Sequence, residues 1–66
     1  MPKDPCQPIR DDIEKTEINI SNLEVQLEGT TGFVRDMILA AIKAEREKLK
    51  SLQRALKACE NAKKGS

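Results

Sequence analysis

Leu27-Glu28-Gly29-Thr30-Thr31-Gly32-Phe33-Val34 sets a four-residue break, Gly-Thr-Thr-Gly, between two long segments of periodic hydrophobicity. Glycine enters the left-handed backbone region without a Cβ clash, so Gly29 suits the residue that closes a helix. Threonine hydroxyls satisfy the free N–H groups of a helix start, so Thr30 or Thr31 suits the cap of the next one. A break this short between long helices makes them antiparallel neighbours.

Upstream of the break, Ile9, Ile13, Thr16, Ile20, Leu23 and Leu27 follow one another at intervals of four and three. Downstream, Val34, Ile38, Ala41, Glu45, Lys48, Leu52, Ala55 or Leu56, and Cys59 do the same. Both are heptad seams. In an antiparallel hairpin, facing residues have numbers that add to a constant. A sum of 61 sets Leu27 against Val34, Leu23 against Ile38 and Ile20 against Ala41. The same sum sets Thr16 against Glu45, Ile13 against Lys48 and Ile9 against Leu52, so the polar seam position of the first segment meets a polar one in the second. The reading is an all-α, coiled-coil-like, antiparallel two-helix hairpin: an extended arm over 1–7, helices over 8–28 and 33–63 joined by 29–32, and a tail over 64–66.

Pro8 favours a start at its own position, because proline is tolerated in a first turn and disfavours helical geometry at the residue before it. An alternative start places Asp4 at the cap, Pro5 first and Gln7 closing a capping box. Cys6 and Cys59 fall at the open end of the hairpin. In the register of 61 Cys6 faces Ala55, and an extended arm, longer per residue than a helix, carries it on towards Cys59. The geometry favours a Cys6–Cys59 disulfide, against the two reduced thiols that a cytosolic setting favours.

A chain of 66 residues buries a small share of its surface and needs support beyond one core. Apolar residues are also left over. Ile18 and Val25 sit opposite the first seam, Leu39 and Ile42 off the second on one flank, and Phe33, Ala40 and Ala44 on the other. Ile18, Val25, Leu39 and Ile42 are the expected lining of a second interface. A homo-oligomer, a four-helix or larger bundle, follows from that, with a heterologous helical protein as the other partner.

Charge is divided unevenly. Residues 8–28 carry six acidic and two basic side chains, and residues 33–64 nine basic and four acidic, although the whole chain is only +1. Lys43, Arg46, Lys50, Arg54, Lys57 and Lys64 form a basic stripe on one side of the second helix. That stripe supports an alternative reading as a nucleic-acid-binding accessory protein. Neighbouring acidic groups, and the lack of Tyr or Trp for base stacking, weigh against it.

The chain holds no histidine, no glycine-rich phosphate loop and no nucleophile–base set, so no catalytic, cofactor-binding or metal-binding residues are assigned and no enzyme activity is expected. There is no apolar run long enough for a membrane span and no apolar leader near Met1, which reads as a cytoplasmic protein. The expected role is oligomerisation or protein interaction.

Overall fold

The computed structural model describes residues 4–64, and the side chains of 4–63. It contains α1, Gln7–Glu28, and α2, Gly32–Lys64, packed as an antiparallel hairpin. The molecule measures 52 × 20 × 11 Å, one helix thick. Residues 1–3 of the expected arm and 65–66 of the expected tail lie outside the described residues.

The start of α1 departs from the extended arm. Cys6 takes right-handed helical angles, φ −89° and ψ −12°, and Pro8 stands within the first turn. Asp4 organises the approach: its Oδ1 accepts the Cys6 N–H at 2.9 Å and its carbonyl accepts the Gln7 N–H at 3.1 Å. The regular helix begins at Gln7, one residue before the expected start at Pro8, with Cys6 as its N-cap residue, and the Gln7 side-chain amide donates to Asp11 instead of closing a box with Asp4.

The loop also differs in detail. Gly29 is not left-handed (φ −103°), and α1 closes through tighter bonds, Gly29 N–H to the Gln26 carbonyl and Thr30 N–H to the Leu27 carbonyl, both 3.3 Å. The left-handed residue is Gly32, φ +68°, at the start of α2. The Thr30 hydroxyl donates back to the Leu27 carbonyl, so it serves the end of α1.

The register is one helical turn from the expected one. Cys6 and Cys59 are joined, with Cα atoms 5.9 Å apart, and their numbers add to 65. Seam residues drawn from solvent are Cys6 and, in α1, Ile9, Ile13, Thr16, Ile20, Leu23 and Leu27; in α2 the matching set is Cys59, Leu56, Leu52, Leu49, Glu45, Ile42 and Ile38, with Ala41 half-buried beside it and Arg10 half-buried at the open end. Paired in that order, each couple adds to 65. Cys6 and Thr16 among them are fully buried, and Ile20, Ile38 and Ile42 nearly so. Val34 and Lys48, expected in the seam, are exposed.

Thr16 does not face Glu45. It comes level with Leu49, and its hydroxyl donates to the Asp12 carbonyl of its own helix at 2.7 Å. The seam of α2 keeps the expected Ile38, Glu45, Leu52 and Cys59 and exchanges the alternate positions 41, 48 and 55 for 42, 49 and 56. That exchange buries Ile42, Leu49 and Leu56 in place of Ala41, Lys48 and Ala55, and the larger apolar area withdrawn from water favours it.

Candidate protein-interaction surface

At the open end, charge encloses the disulfide. Arg10 donates to Asp4 at 2.6 Å and to Glu60 at 3.2 Å, and Lys63 lies 3.6 Å from Asp4. This set ties the turn before α1 to the last turns of α2. The Cys6 N–H first, and the Arg10 hydrogen bond second, lower the Asp4 carboxyl from 3.8 to about 2. The same carboxylate, then Glu60, raises the Arg10 guanidinium above its ordinary value. Cys6 is 0% exposed beneath this set, and both cysteines are bonded, so the residues expected to pair are paired.

The flank beside the seam repeats. Arg10–Glu60 and Glu24–Arg46 both add to 70, two heptads apart, and Arg46 Nη2 lies 3.9 Å from Glu24 Oε2. Two adjoining grooves meet at Arg46 and Lys50, one on the open-end side of the Glu24–Arg46 pair and one reaching from it towards the loop. One, about 420 Å³, is lined by Glu17, Ile20, Leu49 and Gln53 with Arg46 and Lys50. The other, about 430 Å³, shares Arg46 and Lys50 and adds Glu24, Leu27, Leu39 and Ile42. Lys43, Arg46, Lys50, Arg54 and Lys57 are all exposed, as the stripe requires. Three of them, Lys43, Arg46 and Lys50, border a groove whose facing wall carries Glu24. A polyanion entering there meets carboxylates as well as cations.

The four residues expected to line a second interface are not brought together. Ile42 is 6% exposed and belongs to the hairpin's own seam. Leu39 borders the groove above it. Ile18 and Val25 are exposed, Val25 at 65%, seven residues apart on the outer face of α1. The sequence reading of the interface missed the first turns of α2. Because Leu27 comes level with Ile38 and not with Val34, residues 33–37 overhang the end of α1. Phe33 (77% exposed), Val34 and Met37 consequently stand in solvent. The near-uniform apolarity of 33–42 carried this signal; the register needed to interpret it was one turn out.

Among the described residues no group of three or more Cys, Asp or Glu is arranged to hold a metal ion, and no helix is long and apolar enough to cross a membrane. Comparison with protein-family models, curated proteins and solved structures finds no match to this chain.

Proposed function

We propose that the chain is a non-enzymatic helical-hairpin module that acts by assembling with other helices, its own copies first. The observation that supports this is the balance of apolar side chains. Among the described residues four hydrophobic ones are buried, whereas Ile18, Val25, Phe33, Val34, Met37 and Leu39 are large, apolar and exposed. Single exposed apolar residues are ordinary, but Phe33, Val34 and Met37 fall within two turns of one helix. A molecule one helix thick has no interior in which to place them.

Nucleic-acid binding through Lys43, Arg46, Lys50, Arg54 and Lys57 remains the second reading, carried by their common exposure. It requires binding that falls steeply with salt and is lost on Lys50→Glu with Arg54→Glu. The closed Cys6–Cys59 pair bears on location, since such bonds persist in oxidising compartments and are rare in the cytosol.

Light scattering after size exclusion, with and without reductant, tests the module reading. A mass of two or more chains in both states is the expected result. A single-chain mass at every concentration counts against self-assembly.

A further inference from the structure

The seam exchange described above leaves a second seam on α2. Val34, Ala41, Lys48 and Ala55, displaced from the hairpin core, alternate with Met37, Ala44, Ser51 and Ala58 at the same three-and-four spacing. Every one of these residues is exposed except Ala41, which is half-buried. From Val34 to Ala58 this face runs about 36 Å along the helix. It is bulky at the loop end and small at the other.

We propose that this face is the docking surface for a second copy of the chain, with α2 packed antiparallel on α2 about a two-fold axis. This rests on the module reading and names its partner. Three features select a copy of itself in that orientation. The first is volume. Antiparallel heptad pairing brings together numbers adding to 92, which sets Val34 against Ala58 of the second copy and Met37 against Ala55 of the second copy. Large side chains then meet small ones at both ends, and the two-fold repeats the fit. A parallel arrangement stacks Met37 on Met37 and Ala55 on Ala55, leaving voids. The second is approach. Ala41, Ala44 and Ser51 through the middle, with Lys48 set against Ala44 of the second copy, let the axes approach within the usual 8–10 Å range.

The third is charge. Lys48 is the face's one charged residue. Beside it, half-buried, Glu45 holds a buried Oε2 that accepts no hydrogen bond from any described residue. In the antiparallel register Lys48 and Glu45 of the second copy add to 93, within about 1.5 Å of the same level. Two reciprocal Lys48–Glu45 pairs then flank the axis, and each sets an ammonium beside a carboxylate whose Oε2 has no hydrogen-bond partner within its own hairpin. In the parallel arrangement Lys48 faces Lys48.

Sedimentation equilibrium on the full-length, oxidised chain tests this, with far-UV circular dichroism to follow the fold of each variant. Ala55→Arg is expected to weaken self-association on the order of 100-fold. Ile18→Glu, on the outer face of α1, is expected to leave it unchanged. Lys48→Glu is expected to weaken it roughly tenfold, and adding Glu45→Lys to restore it. If Ala55→Arg keeps the oligomer of the unaltered chain, this face is wrong while the module reading stands. If the double reversal is no tighter than Lys48→Glu, the register is wrong. A single-chain mass for the unaltered protein at all concentrations overturns the second copy and the self-assembly reading together.

Discussion

Gly29 and Gly32 bracket the same loop but ask different things of the backbone. Neither has any atom within 4 Å of where a Cβ would stand, so space does not separate them. Conformation does. Gly32 lies at φ +68°, where an L side chain costs about 1–2 kcal/mol; Gly29 lies at φ −103°. Gly32→Ala should therefore destabilise the hairpin by about 1 kcal/mol. Gly29→Ala should stabilise it by a few tenths up to about 1 kcal/mol through the unfolded chain. Urea midpoints of the two variants check this, and equal shifts in the same direction would contradict it. Asp4 makes a second demand at this scale. Its carboxyl titrates at about 2 when folded, against 3.8 ordinarily. The folded state thus favours the ionised form, and the resulting stability is fully present above about pH 4 and fades as pH falls towards 2. Melting temperatures taken from pH 5 to pH 2 should decline, and Asp4→Asn should melt lower at pH 5 and show a shallower decline. A parallel decline in both proteins would remove Asp4 as the cause.

Each helix was legible because its apolar residues recur with the helical period, and because Gly29-Thr30-Thr31-Gly32 has no alternative reading within that pattern. The rotation of α2 was harder to read. Positions 38, 45, 52 and 59 belong to both the expected and the observed seam, so the spacing alone cannot choose between 41, 48, 55 and 42, 49, 56. The match of polar Thr16 to polar Glu45 supports the first set. Thr16 needs no such partner, since the Asp12 carbonyl one turn back accepts its hydroxyl hydrogen. Side-chain size decides for the second set, as Ile42, Leu49 and Leu56 offer more apolar area than Ala41, Lys48 and Ala55. The same correction divides the expected interface, moving Ile42 inward and leaving Leu39 at a groove edge. Ile42→Ala should then cost about 2–5 kcal/mol, as truncations of buried aliphatics do. Leu39→Ala, already 41% exposed, should cost less than about 1 kcal/mol. Thermal or urea unfolding of the oxidised chain separates the two, and similar losses would return Ile42 to the outer surface.

As a whole, the molecule is a 52 Å rod closed at each end, by the Gly29–Gly32 loop at one and by Cys6–Cys59 at the other. Among the described residues five side chains along it are buried, two of them, Cys6 and Thr16, completely, and Cys6 owes its place to the bond. A core of this size rarely supplies more than about 3–5 kcal/mol. The disulfide closes a separation of 53 residues, worth about 4 kcal/mol by the chain-entropy argument. Apolar burial and ordering entropy nearly cancel at this length, so a hairpin with few buried side chains falls below that ceiling and the bond supplies most of the margin by which it stays folded. Replacing Cys6 and Cys59 by serine should therefore leave a single chain near its unfolding midpoint in water. Assembly supplies a second source of stability, and it grows with concentration. The serine variant should be largely unfolded when dilute and regain helix as concentration rises, whereas the oxidised chain stays helical throughout. Ellipticity at 222 nm across a hundredfold dilution series reads this directly. A serine variant equally helical at every dilution would mean that the heptad seam alone holds the hairpin, and that neither the bond nor a second copy is required for its fold.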